Sequence, residues 1–135
     1  MRYKGDTKQL TKKNRFDAGL DICSAENCRV RARDKRLIST GLYIEVPQYH
    51  VGMICSRSGL SSKNGIEVGT GIVDADYRGE IKVLLYNHSD TDFEITTGTR
   101  IAQLLTIPIN IGTYSQVAEL DDTDRGTKGF GSSGL

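Results

Sequence analysis

An all-β fold is predicted by three features of this 135-residue sequence. Apolar residues come in short runs rich in Val, Ile, Leu and Tyr, each closed by Gly, Asn, Asp, Ser or Thr. No stretch sustains a helical repeat. The two prolines, Pro47 and Pro108, both stand beside an apolar strand segment, where a sheet edge or strand end tolerates the missing N–H. Many short strands at this spacing specify a sandwich, jelly roll or barrel.

Along the chain, "DAGLDI" sets Asp21 between Leu20 and Ile22, an acid inside a strand-like pattern. Strands are expected at "KRLISTGLYIEV" and "HVGMIC", then a turn or two of helix within "SRSGLSSKNG", where Gly and Ser oppose anything longer. "GIEVGTGIVDA", "GEIKVLLYNHS", "DFEIT" and "RIAQLLTIPI" continue the strand series. In "GEIKVLLYN", Ile81, Val83 and Leu85 face one side and Lys82, Leu84 and Tyr86 the other, so burial on both sides is expected. From about Asn110 the chain turns acidic and then Gly/Ser-rich, with little to bury; alone, it is expected to be disordered.

A hydrophobic fraction of 37% over this length gives one domain a real core. Net charge is +1 with both signs dispersed, so no global field recruits nucleic acid or a membrane surface, and any anion site must be local. No run approaches the roughly 20 apolar residues of a membrane span. The polar start lacks the apolar centre of a secretory signal, and no organelle presequence stands out before "DAGLDI"; an intracellular protein, cytoplasmic or nuclear, is expected. Cys23, Cys28 and Cys55 are odd in number and form no CxxC pair, which argues against a disulfide framework and a zinc site and for reduced thiols.

Three stretches carry chemistry. "GIVDADYRGE" places Asp74, Asp76 and Tyr77 directly after an apolar run, where an acid is ordinarily just a solvated turn residue. "RGTKGFGSSG" has the composition of a flexible linker, but Arg125 at its start and the isolated Phe130 suit a phosphate-clamping, base-stacking lid. In "SRSGLSSKNG", Arg57, Ser58 and Gly59 could offer a guanidinium, a hydroxyl and backbone N–H groups together, or form an ordinary polar turn. There is no GxxxxGK[ST] and no GxGxxG opening a helix, and neither His50 nor His88 sits in a triad-like motif. A nucleotide site of this kind would rely on positioning, Mg2+ and a carboxylate base.

Taken in order, "DAGLDI" (17–22), "SRSGLSSKNGI" (56–66), "GTGIVDADYRGEI" (69–81), "GTRIAQLL" (98–105) and "RGTKGFGSSG" (125–134) resemble the motifs of the trimeric dUTP diphosphatases (dUTPases), over nearly the whole chain. The resemblance implies a jelly-roll-like (β-clip) subunit over residues 1–120. It also implies a threefold homotrimer with active sites between subunits, and a flexible C-terminal arm, residues 121–135, that closes over a neighbouring site. The implied reaction is Mg2+-assisted hydrolysis of dUTP to dUMP and pyrophosphate, which keeps uracil out of DNA and supplies dUMP for thymidylate synthesis. No nucleic-acid or membrane partner is implied.

By the same resemblance Asp74 is the general base that directs water at the α-phosphorus, and Asp76 takes a structural or ion-pairing role. Tyr77 packs on the deoxyribose and excludes a 2′-hydroxyl. Gly71, Ile72 and Val73 line a hairpin pocket for uracil, and Lys82 falls near the substrate. Arg57, Ser58 and Gly59 hold the phosphates, Gln103 adds a polar contact, and Asp21 orients water near Mg2+. The metal is held by phosphates and water, so no direct protein ligand is expected. Phe130 covers the base, while Arg125, Ser132 and Ser133, with Gly131 beside them, engage the γ-phosphate. Two residues depart from the pattern. Ser56 replaces the usual Pro, which is expected to loosen its loop. Lys128 replaces a small residue, and either tightens triphosphate binding in a salt-sensitive way or points to solvent. A related deaminase of dCTP would need a glutamate around Leu84, and "KVLLYN" has none.

Overall fold

Strands with one buried face need a second layer to cover it, and the chain supplies this by folding sheet on sheet. The computed structural model describes residues 1–69 and 71–129. In chain order the strands are β1 (Arg2–Lys4), β2 (Leu10–Thr11), β3 (Leu20–Cys23), β4 (Cys28–Val30), β5 (Lys35–Glu45), β6 (His50–Cys55), β7 (Ile66–Val68), β8 (Ile72–Val73), β9 (Glu80–Asn87), β10 (Phe93–Ile95) and β11 (Arg100–Pro108). One helix, α1 (Ser58–Asn64), and a 3-10 turn at Thr7–Gln9 complete the described elements. All pairings are antiparallel: a four-stranded sheet β1-β5-β9-β7, a five-stranded sheet β2-β3-β11-β6-β8 and a β10-β4 pair. The all-β, jelly-roll-like expectation holds. The run 65–75 divides into two strands, with the edge of the five-stranded sheet formed by β8.

Ile22, Ile38, Leu42, Ile66, Leu85, Ile101 and Leu104 are fully buried between the layers. Each stabilises the fold by about 2 kcal/mol, so the body has a core that owes nothing to residues past Pro108. Asn87 closes the end of β9: its buried amide donates to Val30 O (3.0 Å) and Thr91 O (2.8 Å), and its oxygen accepts from Ser89 Oγ (2.7 Å). A buried amide with both ends engaged offsets its desolvation with hydrogen bonds and fixes the β9 terminus.

Burial of β9 on both sides is corrected by the structure. Ile81, Val83 and Leu85 are buried, but Lys82 is exposed and Leu84 and Tyr86 are only half-buried. Among the described residues no second layer lies over that face; the Lys35 ammonium sits 5.6 Å from the centre of the Tyr86 ring instead.

The β5–β9 ladder is interrupted by a bulge between Ser39 and Leu42. Gly41 there has φ 63°, a left-handed conformation that suits glycine. The Glu80 carboxylate fills the bulge, accepting from the Ser39 hydroxyl and from the Gly41 N–H (2.9 Å). Regular structure ends at Pro108, after which the Ile109 N–H donates to Tyr49 O (2.8 Å). Residues 110–129 carry no strand or helix and are almost all exposed, with Tyr114 at 96% and Leu120 at 87%.

Candidate active site

Antiparallel pairing brings the end of β8, the following turn and the start of β9 together around a cleft of about 560 Å³. Its walls include Gly71, Ile72, Val73, Asp74, Tyr77 and Lys82. The Ile54 N–H donates to Gly71 O (2.7 Å), which pins the hairpin floor to β6. Val73 faces the core, while Ile72 is 66% exposed and turns to the opening. Asp74 is exposed, and its carboxylate has no hydrogen bond or ion pair among the described residues. An acid left in that state can accept a proton or bind water without first breaking a contact.

The turn after Asp74 is held at several points. The Tyr77 N–H donates to Asp74 O (3.2 Å), and the Tyr77 hydroxyl donates to Glu80 O (2.9 Å). Arg78 donates to Ala75 O (2.8 Å) and Tyr77 O (2.9 Å). The Ser39 hydroxyl, then the Gly41 N–H, hold the Glu80 carboxyl below its ordinary range. Lys82 lies 3.9 Å from Glu80 across the cleft wall. Asp76, expected to have a structural or ion-pairing role, is exposed and forms no ion pair among the described residues.

A separate cleft of about 390 Å³ opens beside α1. It is lined by Asp21 of β3, Arg57, Ser58 and Gly59 at the head of α1, and Arg100 and Gln103 of β11, with Lys13 at its rim. Asp21 joins the two arginines: Oδ1 accepts from Arg57 Nε (2.9 Å), and Oδ2 accepts from an Arg100 guanidinium nitrogen (3.1 Å). Its side chain is only 18% exposed, so these pairs are partly shielded from water. Arg57 also donates to Arg100 O (3.0 Å), which leaves the guanidinium at a fixed angle across the cleft. Ser56, expected to loosen its loop, makes two hydrogen bonds there. Its hydroxyl accepts from the Val68 N–H (2.8 Å), and its carbonyl accepts from Gln103 Nε2 (2.9 Å).

The predicted residues thus fall into two groups, Gly71, Ile72, Val73, Asp74, Tyr77 and Lys82 in one cleft and Asp21, Arg57, Ser58, Gly59 and Gln103 in the other. Arg125 lines neither; its Nε donates to Lys128 O (2.9 Å) in an exposed turn. Phe130, Gly131, Ser132 and Ser133 lie outside the described residues. Arg100 and Glu80 were not singled out from the sequence. Both stand inside quoted motifs, but only the folded chain shows Arg100 on Asp21 and Glu80 in the β5 bulge. Among the described residues no three His, Cys, Asp or Glu side chains cluster as metal ligands. Cys23, Cys28 and Cys55 are free thiols, and burial pushes the Cys23 thiol up.

A dUTPase family model matches residues 6–134. The chain belongs to the dUTPase family. Among curated dUTPases, the deoxyuridine 5′-triphosphate nucleotidohydrolase of Arabidopsis thaliana is 48% identical over 125 residues, covering 93% of this chain and 75% of the relative. That of Candida albicans is 48% identical over 129 residues, covering 94% and 81%. The dUTPase of Staphylococcus bacteriophage 80alpha, solved with dUpNHpp, superposes with a TM-score of 0.91 at 31% identity, covering 99% of this chain and 98% of that one. Native EIAV dUTPase superposes with a TM-score of 0.78 at 28% identity, covering 89% and 98%. Membership makes the chain a hydrolase of nucleotide metabolism. No helix among the described residues is long and apolar enough to cross a membrane.

Proposed function

We propose that this chain hydrolyses dUTP to dUMP and pyrophosphate, keeping uracil out of DNA and supplying dUMP for thymidylate synthesis. The observation that carries the reading is the unengaged Asp74 carboxylate, three residues before a fixed Tyr77, in the cleft formed by the hairpin. Uracil lies against the backbone of Gly71, Ile72 and Val73, and the deoxyribose against the Tyr77 ring. Asp74 takes a proton from water as the water oxygen bonds to the α-phosphorus. The bond from that phosphorus to the bridging oxygen breaks, and pyrophosphate leaves.

The phosphates are held by Arg57, Ser58, Gly59 and Gln103 of the second cleft. The two clefts share no lining residue on one chain, which supports a homotrimer whose complete sites combine the hairpin cleft of one subunit with the phosphate cleft of another. The arm, residues 121–135, closes the site, with Phe130 over the base and Arg125, Gly131, Ser132 and Ser133 at the γ-phosphate. Both Asp21 oxygens engage a guanidinium yet keep lone-pair capacity for water. This suits a hard cation bound by phosphate oxygens and water, with Asp21 orienting that water. When bound, Mg2+ supplies charge neutralisation on the phosphates.

Pyrophosphate release with Mg2+ from dUTP, dTTP, dCTP and UTP in parallel, with products identified, tests this function. Conversion of dUTP alone to dUMP is expected. Release from none of them, or ammonia from dCTP, would overturn it.

A further inference from the structure

Tyr77 is 45% exposed, so packing covers only part of its side chain. An exposed aromatic side chain ordinarily samples several rotamers. A ring that is to reject an added hydroxyl must nevertheless stay in place, because a pocket that yields discriminates poorly.

The geometry points to Gly79 as the residue that fixes it, an inference that rests on the sugar-checking reading of Tyr77: by lacking a side chain, Gly79 lets the Tyr77 ring fold back and bond Glu80. A Cβ at position 79 would stand 2.3 Å from the Tyr77 hydroxyl oxygen and 2.5 Å from Cζ, well inside contact distance. All three nearest atoms belong to the Tyr77 side chain, so the closest conflict falls there. Position 79 is not in the left-handed region, so alanine fits its backbone. The space left by the missing Cβ allows the hydroxyl to reach Glu80 O at 2.9 Å. The Glu80 side chain is in turn anchored in the β5 bulge by Ser39 and Gly41, which braces that carbonyl. Gly79 is a positioning residue that acts through Tyr77, and Glu80 supplies the carbonyl the ring is held by.

The test compares wild type with Gly79→Ala for kcat/KM on dUTP, UTP and dTTP, with Tm measured on both. The wild-type preference for dUTP over UTP is established first; equal hydrolysis of the two would remove the sugar reading and this inference together. With that preference in hand, Gly79→Ala is expected to lower the dUTP/UTP ratio about tenfold, leaving the dUTP/dTTP ratio and Tm close to wild type. An unchanged dUTP/UTP ratio, or an equal fall in both ratios, would overturn the inference while leaving the sugar reading standing. Should Gly79→Ala not fold, Tyr77→Phe replaces it. Phe keeps the ring and loses only the bond to Glu80 O, for an expected fall of about fivefold in dUTP/UTP; no fall there overturns the inference.

Discussion

Two aspartates in recognisable motifs, Asp21 within β3 and Asp74 directly after β8, are treated in opposite ways by the fold. Asp21 is mostly covered, and each of its oxygens accepts from a different arginine. Asp74 is exposed, and its carboxylate has no hydrogen bond or ion pair among the described residues. The difference separates two uses of one side chain. A carboxylate held between guanidiniums aims its cations and has lone pairs left to orient a water, whereas one left unengaged beside a cleft is available to move a proton.

That contrast breaks most sharply at Asp74. Asp74→Asn keeps the shape of the cleft and removes the proton acceptor, so kcat should fall about a hundredfold to ten-thousandfold while binding of a non-hydrolysable dUTP analogue persists; near-normal kcat would end its role as base. Ending the chain before Arg125 comes next. The core lies wholly within the body, so thermal melting and oligomeric state should be retained, with activity down by about a hundredfold; full activity in the truncated protein would dismiss the arm.

Asp21→Asn should show the opposite kinetic pattern from Asp74→Asn. Losing the charge that aligns Arg57 and Arg100 should raise KM about tenfold and change kcat by less than about threefold. Collapse of kcat at constant KM would move Asp21 into the chemistry and erase the contrast.

Glu80 provides a smaller, pH-dependent test. Its folded carboxyl titrates below the ordinary value of 4.5, so its contribution to stability is present above that pH and is lost as pH falls through the lower folded value. The Tm difference between wild type and Glu80→Gln should therefore be constant near neutrality and shrink only on acidification below that point; a gap that widens in acid would reverse the assignment. The smallest effect belongs to Lys128, exposed in the turn with Arg125. Lys128→Gly should raise KM about twofold at low salt and less at high salt, and an unchanged KM across the salt series would leave Lys128 pointing to solvent.

Much of the fold was legible because β5 to β11 advertise themselves by alternation or by branched apolar runs bounded by turn residues. β1 escaped notice because all three of its residues are exposed on a sheet edge, where no buried face imposes a period. β2 and β4 are short and, unlike β7, β8 and β10, lie in polar stretches ("TKQLTKKNR", "AENCRVRARD") that show no apolar run. The exposed face of β9 misled because Leu84 and Tyr86 look like core residues, and a sequence cannot say whether anything covers them. At the site, the residue types were readable but their grouping was not. Asp21 and Arg100 are 79 residues apart, and only the β3–β11 ladder brings them within bonding distance. The hydroxyl that Ser56 offers in place of a proline ring accepts from the Val68 N–H, a bond that its sequence neighbours do not announce.

The separation of the two clefts on one chain has a genetic consequence. A subunit crippled by Asp74→Asn still carries an intact phosphate cleft, and one crippled by Arg57→Ala still carries an intact hairpin cleft. Where complete sites are assembled from different subunits, every mixed trimer of these two chains pairs the good half of one with the good half of the other. Two alleles, each inactive alone, would then complement each other when expressed in the same cell.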